Sequence, residues 1–113
     1  FAKTCKSYKY KDVARSPEAY KNKRAKFTGK VIQVLEDDPF IELRVDVTKN
    51  KYGNYEDTIY VDYVRKTDDE PRILEDDIIT MYGTLDGLKK YTSVLGAEIN
   101  IPMFHASFVD IPK

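Results

Sequence analysis

The chain is short of the residues that most often carry chemistry. Its 113 residues include no tryptophan, one cysteine and one histidine. A lone cysteine, Cys5, excludes an internal disulfide and any cysteine-clustered zinc site. The lone histidine, His105, falls in an apolar stretch with Met103, Phe104 and Phe108, a setting in which histidine is usually structural. No Ser/His/Asp set can be assembled without it, and Cys5 sits in a terminus expected to be mobile. No G-x-G-x-x-G and no P-loop occurs. These absences argue against an enzyme, and no cofactor is expected. No apolar run approaches the roughly 20 residues that a helical membrane span requires. No charged-then-apolar leader is present, and the sequence begins at Phe1, so a processed or excised domain is expected. Ala2-Lys3-Thr4 before Cys5 makes a poor lipidation box, and Cys5 reads as an ordinary near-terminal cysteine.

What is abundant is charge, unevenly placed. Net charge is zero, yet residues 1–33 hold ten Lys/Arg against two acids, and residues 34–113 hold nine against seventeen. Such asymmetry points either to a polyanion-facing surface or to two halves that pack together and offset each other's field. The length suits one domain, spanning residues 1–113 with 1–9 as a flexible extension. A hydrophobic content of 42% is enough to fill its core.

Ser16-Pro17-Glu18 is a helix-start signal: a capping residue, proline suited to the first helical position, and an acid at the positive end. A short helix over 17–23 follows, preceded by one helical turn over 8–14. The pattern then turns to strands. Residues 25–31 alternate apolar or small with polar, and the phase slips by one at Ile32-Gln33-Val34, just after Gly29. A long, bent first strand is what a small closed barrel needs. A second strand over 41–48 turns Ile41, Leu43, Val45 and Val47 inward. A third over 58–64 turns Ile59, Val61 and Tyr63 inward and Tyr60 and Asp62 outward. The polar segment 49–57 joins them. A fourth strand, 78–85, is closed by Asp86-Gly87. A small hairpin over 90–94 and 98–101 extends it, Pro102 breaks the run, and a last strand covers 103–111. Five such strands predict a mostly β, five-stranded OB-type Greek-key barrel with a short N-terminal helix packed over one end. The usual helix between strands three and four is reduced to a loop around Pro71. An SH3-like barrel is the alternative.

Acidic clusters at Glu36-Asp37-Asp38, Asp68-Asp69-Glu70 and Glu75-Asp76-Asp77 invite a calcium reading, but hard cations need six or more oxygens at set spacing. The stretch from Asp46 places Lys51 where an EF-hand requires glycine. These acids read as solvated loop tips that discourage edge pairing, and no metal is expected. OB folds bind single strands through a basic groove and aromatic platforms on strands two and three and neighbouring loops. The matching residues are Lys26 and Lys30 on the first strand, Arg44, Tyr60, the loop residues Lys51, Tyr52 and Tyr55, and Lys89, Lys90 and Tyr91 after strand four. Glu42, Asp46 and Asp62 share that face and repel phosphate. The same tyrosines suit a protein partner, combining apolar area with a hydrogen-bonding tip.

The run YKDVARSPEAYKNKRAKFTGKVIQVLED, the run RILEDDIITMYGTLDG and the run YTSVLGAEINIP together resemble the C-terminal OB-type domain of TcdC-type proteins, described as negative regulators of clostridial toxin genes. The likeness extends from about Tyr10 to Pro102. Related openings and turns recur in small extracytoplasmic OB domains of Gram-positive bacteria. The chain departs from the clostridial pattern in a longer segment at 49–57 and in carrying no membrane anchor or coiled-coil stalk. The resemblance implies a non-enzymatic binding module of a membrane-anchored or secreted, extracytoplasmic protein, touching the membrane only through an anchor upstream of this sequence. Its ligand would be a protein or a cell-envelope component. A single-stranded nucleic-acid-binding domain acting directly in gene regulation is the alternative.

Overall fold

Alternation along each strand sorts the side chains to two sides of one sheet, and the sheet closes on itself. The computed structural model describes residues 1–93 and 95–111. Five strands, β1 (Arg24–Asp37), β2 (Phe40–Lys49), β3 (Tyr55–Val64), β4 (Ile78–Thr92) and β5 (Glu98–Asp110), form a closed barrel in the order β1-β2-β3-β5-β4. All neighbours are antiparallel except β3 and β5, which run parallel. This is the OB-type topology predicted from the strand pattern. Leu43, Val45, Ile59, Val61, Ile79, Met81, Leu85 and Phe104 fill the interior. Phe27 meets Phe104 edge to face at 5.2 Å, a preferred aromatic geometry.

Closure depends on β1 serving two partners. Its first half, Arg24 to Lys30, pairs with β4, and its second half, Lys30 to Asp37, pairs with β2. The phase slip expected at Ile32-Gln33-Val34 is the register shift between Val31 and Gln33. Gly29 is not itself the bulge. A Cβ there would lie 2.2 Å from the carbonyl oxygen of Asp46, so glycine is needed because β2 passes too close for a side chain. Gly83 meets the same constraint on the other side of the barrel, with the His105 carbonyl 2.0 Å from a built Cβ, beside a second register shift in the β4–β5 ladder.

The N-terminal segment forms two short helices, α1 (Tyr10–Arg15) and α2 (Pro17–Tyr20). Val13 of α1 joins the core cluster, so the segment packs over the barrel as expected. The second helix ends earlier than the predicted 17–23. Lys21 is extended and Asn22 has φ 68°; this turn delivers Asn22 N–H to the Leu85 carbonyl at 2.7 Å. Ser16 makes no side-chain cap bond, contrary to the start signal. Residues 1–9, expected to be flexible, lie along the barrel: Lys6 bridges Ala25 in parallel, and Phe1 packs on Phe108 at 6.0 Å. Between β3 and β4 the chain has no helix, and Ile73 is buried against the core instead.

Two strand boundaries differ from expectation. β4 does not stop at Asp86-Gly87 but continues through a register shift to Thr92, and β5 runs through Pro102. Pro102 is tolerated because it lies opposite Leu88, just past that shift, and before pairing with β3 begins at Met103. The predicted strand end at Val94 lies outside the described residues. The polar segment 49–57 is strand at both ends, at Lys49 and from Tyr55 to Asp57. The connection shrinks to a turn at 50–54, where Asn50 Oδ1 accepts from the Tyr52 and Asn54 amides at 2.9 and 3.0 Å.

Candidate functional site

The outer face of β2 and β3 is built in cross-strand rows. One row runs Gln33, Arg44, Tyr60, Met103, and the next runs Leu35, Glu42, Asp62, His105. The continuous β4–β5 hairpin leans over the first row. Lys89 Nζ stands 5.3 Å from the Tyr60 ring, the Tyr91 ring lies 6.4 Å from it, and Arg44 packs on Tyr91 at 5.2 Å while its Nη1 donates to the Tyr91 hydroxyl at 3.2 Å. Gln33 accepts from Arg44 Nε. Tyr60 is therefore only 9% exposed although it points outward. Its hydroxyl donates to Glu42 at 2.7 Å. Burial, then that bond to Glu42, push it up to about 12.

Of the residues predicted to form a binding face, the structure thus brings Arg44, Tyr60, Lys89 and Tyr91 into one stacked group. Lys90 lies on the same hairpin and pairs with Glu98 at 3.2 Å. Lys51 and the 77%-exposed Tyr52 stack on each other at the β2–β3 turn, 5.1 Å apart, while Tyr55 opens β3 opposite Lys49. Lys30 is paired with Asp76 at 3.6 Å. Lys26 lies in the half of β1 that pairs with β4, its ammonium over Tyr82 at 5.6 Å, away from the Arg44–Tyr60 row.

His105 was read as a histidine among apolar neighbours. Its ring instead faces outward, with Nδ1 2.7 Å from Asp62 and Nε2 2.7 Å from Asp86. Burial works to lower its pKa, but the bonds to Asp86 and then Asp62 outweigh it and hold the ring above its ordinary value. Asp86 is held low chiefly by the same histidine, burial opposing, with Lys21 4.0 Å away. With both ring nitrogens engaged by carboxylates, His105 has no nitrogen left to ligate a metal or to act as a general base. Only its distance from Asp62 and Asp86 in sequence hid this cluster; no local pattern signals it. Among the described residues, no three His, Cys, Asp or Glu are grouped to hold a metal ion, and no helix is long and apolar enough to cross a membrane.

One cleft, of about 420 Å³, lies on this face beside Glu42, Asp62 and His105, and another lies beside the face. The second measures about 440 Å³ and opens between the start of α1 and the far ends of β2 and β3.

No protein-family model matches the chain, and no curated protein matches it. Solved structures do. An aspartyl tRNA synthetase from Entamoeba histolytica superposes with a TM-score of 0.63 at 11% identity, over 95% of this chain and 21% of the synthetase. The chain thus spans about a fifth of that enzyme. The mitochondrial single-stranded DNA-binding protein Rim1 of S. cerevisiae superposes with a TM-score of 0.51 at 6% identity, over 81% of this chain and 96% of Rim1. At these identities the likeness is one of fold, and the fold is an OB-type barrel.

Proposed function

We propose that this chain is a non-enzymatic OB-type binding module whose working surface is the outer face of β2 and β3 together with the β4–β5 hairpin, and whose ligand is a protein or a cell-envelope component. The observation that carries this reading is the charge balance of the face. Arg44 and Lys89 are stacked into the Tyr60–Tyr91 group, while Glu42, Asp62 and Asp86 line the adjoining rows. A phosphate backbone is repelled by such a surface, whereas a protein segment can match both signs. The resemblance of residues 10–102 to TcdC-type and related Gram-positive domains supports placing the module outside the membrane, on a membrane-anchored or secreted protein with a regulatory role.

A second reading, single-stranded nucleic-acid binding in gene regulation, is favoured by the fold shared with Rim1 and by Arg44 and Tyr60 gathered beneath Lys89 and Tyr91 of the hairpin. Anisotropy titration with a labelled oligonucleotide separates the two. The proposed reading expects no binding at 50 mM salt, alongside saturable retention on purified cell-wall material or on a partner protein. Near-micromolar oligonucleotide affinity that falls steeply with salt, and that drops when Arg44 and Tyr60 become alanine, overturns it.

A further inference from the structure

We propose that the cleft between α1 and the ends of β2 and β3 is a separate binding site for a small anion carried on a flat apolar body, of which a nucleoside monophosphate is the simplest example. Its volume, about 440 Å³, falls within the range of small-molecule sites, which are mostly apolar with a few convergent polar groups. Tyr8, Tyr10 and Val47 form its walls. All three are half-buried and pack on the core cluster, and Tyr8 is held in place edge to face against Tyr20 at 5.1 Å. The apolar surface is therefore fixed by the fold.

Charge selects the other half of the ligand. Lys9, Lys11 and Lys49 stand around the opening, and Asp57 is the one acid in the lining. Among the described residues, none of these three lysines takes part in an ion pair, unlike Lys30 and Lys90. An anion placed there meets three ammonium groups, while an aromatic or aliphatic body reaches the tyrosine faces. A backbone irregularity lies in the lining. The β2–β3 ladder pairs Asp46 with Thr58 and Thr48 with Glu56 but skips Val47 and Asp57 between them, and Asp57 has φ 68°. A left-handed non-glycine residue within a strand is costly and tends to persist where a site needs it. Here it lies at the cleft, on a ladder that stays in register on either side, through Asp46–Thr58 and Thr48–Glu56.

The site is distinct from the Arg44–Tyr60 surface, so the two readings stand or fall apart. The test is an NMR titration of the full chain with AMP, adenosine and inorganic phosphate as separate arms. The expected result is saturable AMP binding, with shifts centred on Tyr8, Tyr10, Val47 and Lys49, and at least tenfold weaker binding of adenosine and of phosphate. Two substitutions then act in opposite directions. Lys49→Glu weakens AMP about fivefold at low salt, in keeping with an exposed ion contact. Asp57→Asn, which keeps a residue tolerant of positive φ, tightens it by a similar factor. Absence of AMP binding at 5 mM, equal binding of AMP and adenosine, shifts centred on Arg44 and Tyr91, or the same direction of change in both variants each overturns the proposal.

Discussion

Replacing His105 by glutamine removes a charge that joins three strands at once, because Asp62 lies on β3, Asp86 on β4 and His105 on β5. Each contact is 2.7 Å, but the three side chains are 44%, 44% and 39% exposed. Solvent screening therefore limits each pair to about 1 kcal/mol at most, and the two together to roughly 1–2 kcal/mol. The pH window follows from the directions of the shifts. The His105 pKa is raised above its ordinary 6.5, so its contribution is full below that value and is lost as pH rises through the folded-state pKa. The Asp86 pKa is lowered from 3.8, so its contribution is present above that value and fades as pH falls through the folded-state pKa. The cluster thus stabilises most between about pH 4 and pH 6.5. Urea unfolding of the wild type and of His105→Gln at pH 5.5 is expected to differ by about 1–2 kcal/mol, and the difference is expected to shrink severalfold at pH 9. As His105 is the sole histidine, its ring proton signal gives the pKa directly. A midpoint below 6.5, or an equal penalty at both pH values, refutes the reasoning.

Four further outcomes follow from the packing. Gly83→Ala places a Cβ 2.0 Å from the His105 carbonyl oxygen and is expected to cost on the order of 2–4 kcal/mol in urea unfolding. Gly53→Ala, with φ 84° and open space around it, costs only about 1 kcal/mol or somewhat more, from backbone strain alone. Phe104→Ala, in a fully buried position against Phe27, is expected to cost about 3–5 kcal/mol by the same measurement. Tyr60→Phe removes the bond to Glu42 and costs about 1 kcal/mol; in an alkaline absorbance titration it abolishes the phenol that ionises near pH 12.

The barrel was legible because its signals are local. Alternation at Ile41–Leu43–Val45 and Ile59–Val61–Tyr63 depends on nothing beyond the strand itself, and the slip after Val31 marks the bend that closure needs. The site was legible only in part because its contacts are distant in sequence. Tyr60 was correctly turned outward, but its roof comes from Lys89 and Tyr91, across a register shift that the pair Asp86-Gly87 made look like a strand end. Pro102 misled for the same reason: its missing N–H forbids a ladder bond only if a partner requires one, and pairing with β3 starts one residue later. Lys26 could not be assigned to a face without knowing that β1 changes partner near Lys30.

The charge asymmetry between the first third and the remainder resolves along the same line. Part of the basic excess is absorbed by packing against the acidic remainder, through Lys30 with Asp76 and Lys21 with Asp86. Another part is absorbed by aromatic rings, through Arg24 over Phe1 and Lys26 over Tyr82. Neither use leaves a field directed at a polyanion lying across β2 and β3, where acids alternate with the stacked Arg44. Of the six cations not used in these ways, Lys9 and Lys11, at the start of α1, lie at the edge of the barrel beside Lys49. A long polyanion gains from many cations spread along a groove, whereas three cations around one apolar cleft favour a ligand with a single anionic end. The same segment that marks the fold by handing a helix over to a bent strand therefore also brings two of its cations to one small site.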